Sequence, residues 1–178
     1  MASSKAKSWV SAAREDPVIV RAGQLQEESE KSINLERVSR EVRVLHESRT
    51  SRKLYKIALE PTSLAEAAMR DMSARARLTE LKASVYSQQL ALEAAYEAAA
   101  AQLVTKYGDG LRDVATNAAD RKHVTNRILS GLVSRVSELS AAVDNIDLIV
   151  KDIDQASFAL RNATEMLKLL IERKNQIL

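Results

Sequence analysis

The most regular alternation of apolar and polar positions lies in the C-terminal third of the chain. Steps of seven from Leu132 reach Leu139, Ile146, Ile153, Leu160 and Leu167, all apolar. A companion row runs through Leu129, Val136, Val143, Val150, Ser157, Thr164, Ile171 and Leu178. These are the d and a positions of a heptad, with Leu or Ile at d and mainly β-branched or small polar residues at a, and they predict a coiled-coil helix over 111–178. The expected seam is Leu132, Val136, Leu139, Val143, Ile146, Val150, Ile153, Leu160, Leu167 and Ile171. Lys122 and Thr125 fall where the seam should begin, and Gly131 costs about 1 kcal/mol against Ala inside a helix, so a bend or a change of partner is expected near Gly131. Leu148, Ile149, Leu169 and Leu170 occupy f and g positions and Phe158 a b position. This second apolar flank predicts that at least two elements pack on the helix.

Upstream, Leu78, Leu81, Val85, Leu92, Ala95 and Ala99 mark a stripe through 61–110, with seven alanines between Ala91 and Ala101. Alanine lets a neighbouring backbone approach, so tight packing is expected there. Ser63 with Glu66 has the spacing of a capping box at the start of this helix, and Tyr107-Gly108-Asp109-Gly110 should stop it, Gly108 taking the left-handed position beyond the last turn. A break so short favours an antiparallel helical hairpin, with a kink as the alternative. Leu35, Val38, Val42 and Leu45 give a helix face within 24–60, ended by Pro61. Residues 1–23 show no sustained period and contain Asp16-Pro17 and Gly23, which read as an extended arm. Trp9, Val18 and Ile19 are its candidate anchors on another surface, the alternative being an arm folded back on the chain's own helices. The expected fold class is all-α: long helices in a hairpin or coiled coil with an irregular N-terminal arm.

Composition narrows the functions. The 178 residues include no Cys, two Pro, four Gly and only one Trp, four Tyr and one Phe. A sheet protein, a disulfide scaffold and a thiolate metal site are excluded. No run of about 18 apolar residues occurs, so no membrane-spanning helix is expected. The first residues lack the apolar core of a secretory signal, and Ala2 in place of Gly argues against myristoylation, so a cytoplasmic location is expected. His46 and His123 are far apart and suggest no metal site, while Asp144, Asp147, Asp152 and Asp154 fall outside the seam and read as a solvated face. No phosphate loop and no nucleophile elbow is present, so neither an enzyme nor a cofactor is expected.

The net charge of +3 is small, and its distribution matters more. Arg37, Arg40, Arg43, Arg49, Arg52, Lys53 and Lys56 set seven cations against Glu41 and Glu47 over twenty residues. Their forks suit carboxylates or phosphates, so an acidic partner surface is the functional reading and a solvated face offset by neighbouring helices the structural one. Nothing aromatic is interleaved for base stacking, which argues against nucleic acid, and no Trp or Phe sits beside the cluster to anchor it in a membrane surface.

Ala74-Arg75-Ala76-Arg77-Leu78-Thr79-Glu80-Leu81, followed by Leu90-Ala91-Leu92-Glu93-Ala94-Ala95-Tyr96-Glu97, resembles a pattern of small cilia- and flagella-associated coiled-coil proteins, microtubule inner proteins among them. In that pattern an Arg/Leu-rich turn precedes Glu-x-x-Tyr and then a Gly; Glu93 and Tyr96 match, while Ala99 and Ala100 replace a polar-Leu pair and the Gly arrives at Gly108. The segment from Arg49 to Leu59 is similar to the stretch that precedes that helix. The resemblance covers about residues 49–108. It implies a non-catalytic axonemal component that lies along tubulin and bridges neighbouring filamentous proteins, and that is not a free monomer in function. The alternative is a subunit of a hetero-oligomeric cytoplasmic coiled-coil complex, such as a tether or trafficking adaptor.

Overall fold

The computed structural model describes residues 9–49 and 60–177. Its described residues are all-α: α1, described over 9–14, then α2 (Pro17–Ser32), α3 (Leu35–Glu47), α4 (Pro61–Val114), α5 (Ala118–Ile128) and α6 (Ser130–Ile177). Two compact units form, Met1–Asn34 with Val85–Ala141 and Leu35–Ser84 with Ala142–Leu178, so that α4 and α6 contribute to both.

In the first unit residues 9–14 and 17–32 are helical, which corrects the extended arm expected over 1–23 for its described part. Asp16-Pro17 starts a helix here. Proline is well placed in a first turn, where its missing N–H has no partner to lose, and Asp16 Oδ1 accepts from the Val18 N–H at 3.0 Å. Ile19, Ala22, Ser29 and Ile33 then form the buried stripe. That stripe crosses Gly23 and includes a serine, which hid its period from the sequence. The single helix expected over 24–60 is likewise corrected, since α2 ends at Ser32 and α3 begins at Leu35. Ile33 adopts an extended conformation while its N–H still donates to Ser29 O at 2.9 Å, and Arg135 of α6 adds to this end: its Nη2 donates to Ile33 O at 2.7 Å and to Ser29 O at 3.1 Å. A guanidinium is a suitable cap for the negative end of a helix.

Of the two readings of Tyr107-Gly108-Asp109-Gly110, a hairpin stop or a kink, the kink is the one that forms. α4 is kinked at Tyr107 (φ −116°, ψ 17°) but continues to Val114, and no described glycine has positive φ. Gly110 serves a close approach instead: a Cβ there would lie 2.6 Å from Trp9 Cγ. The chain turns at 115–117, where Asn117 Oδ1 accepts from the Asp120 N–H at 2.8 Å and caps α5. The single helix expected over 111–178 is therefore three pieces: the end of α4, then α5, then α6. The last interruption falls at Leu129, two residues before the expected bend at Gly131.

The second unit contains α3, the first part of α4 and the remainder of α6. Arg75 pairs with Asp154 and Lys82 with Asp147, each at 2.7 Å, and this opposed numbering makes the two long helices antiparallel here. Val42, Ala74, Leu78, Ile146 and Ile153 form one buried cluster, bordered by Val38, Leu45, Leu81, Ile149 and Val150. Leu64, Ala67 and Leu160 form another, bordered by Ala68, Ala163 and Leu167.

Candidate interaction site

The heptad explains burial along α6 until near its end. Leu132, Leu139, Val143, Ile146, Ile153 and Leu160 are buried, and Val136, Val150 and Leu167 are half-buried. Ser157 and Thr164 face solvent, and Ile171 is exposed. A polar a row weakens the seam just where cover ends. Phe158, Leu169 and Leu170 are each more than 60% exposed, as are Leu148 and Met166. At 100° per residue, Leu148, Phe158, Met166, Leu169 and Leu170 share the side of α6 turned away from Ile153 and Leu160. Ile149, grouped with these residues in the sequence, packs on the Val42 cluster instead.

The basic set divides. Arg37, Arg40 and Arg43 lie on the exposed side of α3 with Val44 and Glu47, and Arg40 Nη2 bridges Glu36 at 3.2 Å. Glu41 is turned to Arg77, 2.6 Å away. Arg49 is no surface cation, which corrects its place in the partner-binding set. Its side chain is 1% exposed; its Nε lies 3.4 Å from Oδ1 of the equally buried Asp71, and its Nη1 donates to Asp152 Oδ2 at 2.7 Å. Its Nη2 reaches Asp152 O, and His46 Nε2 lies 3.2 Å from Asp152 Oδ2. Desolvation pushes the Asp152 carboxyl up, but the hydrogen bonds and charges of Arg49 and His46 outweigh it and hold the group below the ordinary carboxylate value. A guanidinium taken out of water needs such partners, and they come from α4 and α6. Arg52, Lys53 and Lys56 lie outside the described residues. The acidic run read as a solvated face is in part a row of ion-pair partners, through Asp147, Asp152 and Asp154.

The arm anchors also lie within the first unit. Trp9 packs over Gly110, Ile19 is buried and Val18 is partly exposed. The indole Nε1 is buried with no acceptor among the described residues. The described part of the arm, from Trp9 on, thus folds back on the chain's own helices, the second of the two readings left open. Nearby, Asp16 is a buried carboxylate that composition did not single out. Lys106 Nζ donates to it at 2.7 Å, Gln102 Nε2 at 3.1 Å and Tyr107 OH lies 3.2 Å away. Lys106 is the largest cause, followed by Gln102, and against some desolvation these contacts carry the Asp16 carboxyl far below its ordinary value.

Glu93 and Tyr96, the matched residues of the ciliary resemblance, make local contacts. Glu93 accepts from Gln89 Nε2 at 2.8 Å, and Tyr96 OH donates to Asn126 Oδ1 at 2.6 Å. They border a cleft of about 140 Å³ with Val133, Val136 and Ser137. The Ser137 hydroxyl donates to the Val133 carbonyl, so it is engaged with its own helix. Among the described residues, no group of three or more His, Cys, Asp or Glu could hold a metal ion, and no helix is long and apolar enough to cross a membrane. Compared with known proteins, the sequence matches no family model, no curated protein and no solved structure. What the chain offers chemically is therefore read from its surfaces: an apolar end on α6 and an Arg-bearing face on α3.

Proposed function

We propose that the chain is a non-catalytic structural component of the ciliary or flagellar axoneme, binding the doublet microtubule and neighbouring filamentous proteins. The observation that carries an assembly role is the exposure of Phe158, Met166, Leu169, Leu170 and Ile171 along the last turns of α6. Fully burying one such side chain is worth about 1.5–3 kcal/mol, so a run of five favours a partner over water. The axonemal setting comes from the resemblance over about residues 49–108, carried by Ala74–Leu81 and Leu90–Glu97. The acidic partner follows from the three guanidinium forks of Arg37, Arg40 and Arg43 on the exposed side of α3. The test is co-sedimentation with microtubules at low salt, where charge contacts are least screened. The wild-type chain should pellet, and the triple variant Arg37→Glu, Arg40→Glu, Arg43→Glu should remain in the supernatant. Equal pelleting of both removes the α3 face from the interaction.

The same α6 surface favours a second reading, a subunit of a hetero-oligomeric coiled-coil complex. In that case the purified chain ignores microtubules and gains helicity and mass with one partner helix. Failure of the wild-type chain to pellet at low salt selects this reading over the axonemal one.

A further inference from the structure

On its side away from the buried seam, α6 carries a second row within the second unit. Leu148, Gln155, Asn162 and Leu169 recur every seventh residue, and Lys151, Phe158 and Glu165 do so between them. Steps of three and four keep all seven on one side of the helix, which runs from Ser130 to Ile177. Each is exposed, Leu148, Phe158 and Leu169 by 66%, 63% and 64%.

The row is nearly symmetric about Phe158. The leucines stand ten residues before it and eleven after, the amides three before and four after, and the two ions seven before and seven after. The ions are of opposite sign. A parallel copy in register would set Lys151 on Lys151 and Glu165 on Glu165, whereas an antiparallel copy turned about Phe158 sets each Lys151 on a Glu165. Neither ion is held by an ion pair among the described residues, while Asp147 and Asp154 on the flank are paired with Lys82 and Arg75. Lys168 and Arg161 of the other copy would share those aspartates, and Asp144 would meet the adjacent Glu172 and Arg173 together. These flanks add little, so the centre of the row decides the match.

We propose that α6 of a second copy of this chain covers this face, antiparallel and about a two-fold axis at Phe158, with Phe158 on its own copy, Leu148 on Leu169, Gln155 on Asn162 and Lys151 on Glu165. The inference deepens the assembly reading of α6 and rests on it. Every contact off the axis is made twice, as a two-fold interface requires, and each amide can both donate and accept. From Asp144 to Arg173 the paired stretch is about 44 Å long and about 10 Å wide, so the two copies together bury about 900 Å². That is small for a permanent dimer and suits a reversible one, with a Kd on the order of 10–100 µM.

The test is sedimentation equilibrium of the full chain from about 1 to 500 µM, where a monomer–dimer equilibrium should appear. Lys151→Glu and Glu165→Lys should each weaken the dimer at least about fivefold. The double variant should restore it, and so should mixing the two single variants, whose copies are then of opposite charge at both contacts. Phe158→Glu, at an exposed position, should abolish the dimer while the circular dichroism of the dilute chain stays unchanged. Because the chain has no cysteine, Leu148→Cys mixed with Leu169→Cys should join under oxidised glutathione, and Leu148→Cys alone should not. A chain that stays monomeric throughout, a dimer that survives Phe158→Glu, single variants that mixing does not rescue, or Leu148→Cys joining to itself overturns the proposal. Microtubule pelleting is read separately: a monomeric chain that pellets loses this inference and keeps the axonemal reading, and a dimer left in the supernatant does the reverse.

Discussion

The contact between Arg49 and Asp71 allows a quantitative test of how the second unit is held. The two side chains are 1% and 0% exposed, and the guanidinium is further tied to Asp152 at 2.7 Å. Replacing Asp71 by Asn keeps the volume but removes the charge, leaving a buried cation compensated mainly from one side. Breaking a buried pair by removing one partner costs about 3–5 kcal/mol, and the surviving Asp152 contact places Asp71→Asn near the lower end. For a chain of this size about 3 kcal/mol corresponds to a fall in Tm of about 6–12 °C. Arg49→Met should cost at least as much, since it leaves Asp71 buried opposite an apolar stem. The double variant Arg49→Met, Asp71→Leu should recover most of the loss, because a buried ion pair replaced by apolar groups of similar volume is close to neutral. Urea unfolding followed by far-ultraviolet circular dichroism measures all four corners of this cycle. A coupling energy of about 2 kcal/mol or more is expected. Wild-type midpoints in both single variants, or a double variant as unstable as the sum of the two, would refute the assignment of Arg49 to the interior.

Three further outcomes follow from particular residues. Because the Asp16 carboxyl is held below its ordinary 3.8, its contribution is complete above that value and is lost as pH falls from there towards the lowered one; the Tm difference between wild type and Asp16→Asn should be constant above about pH 5 and shrink below about pH 4. Gly110→Ala would place a Cβ 2.6 Å from Trp9 Cγ and should lower Tm and shift Trp9 emission, whereas Gly108→Ala, with nothing within 4 Å, should raise stability by up to about 1 kcal/mol; a destabilised Gly108→Ala would restore the left-handed stop. Leu169→Glu with Leu170→Glu, at exposed positions, should leave the Tm within about 1 °C while abolishing concentration-dependent sedimentation or partner-helix binding; if neither assembly behaviour changes, the end of α6 is not a docking surface.

The parts of this fold that were legible in the sequence are those governed by a repeat. Leu132, Leu139, Ile146, Ile153 and Leu160 recur every seventh residue, and each is buried, because the heptad period and the facing of a helix are the same geometry. The all-α class followed from the same regularity and from the scarcity of Gly and Pro. Signals with two physical meanings misled. Asp16-Pro17 breaks a helix that arrives at it and starts one that leaves it, and only Ile19 and Ala22 packing inward distinguish the cases. Gly110 can permit a left-handed turn or the close approach of a ring, and the ring in question is Trp9, some hundred residues earlier.

Charge was the least legible property because its meaning is set by distant residues. Arg49 sits in a run of cations, yet its partners are 22 and 103 positions away, on α4 and α6. Arg135 is likewise directed inward, to the end of α2, and Lys106, itself exposed, is engaged by the buried Asp16. A count of cations along a segment therefore overstates the positive surface by whatever the fold takes inside. On α3 the described remainder is Arg37, Arg40 and Arg43, offset in part by Glu36 and Glu47, and that face is modest in net charge. The reverse also holds: Arg112, Arg121 and Lys122 line one groove between α4 and α5, but Asp109, Asp113 and Asp120 beside them in sequence match them charge for charge. Charge reversal of Arg37, Arg40 and Arg43 together therefore tests whether so modest a face is enough to hold an acidic partner.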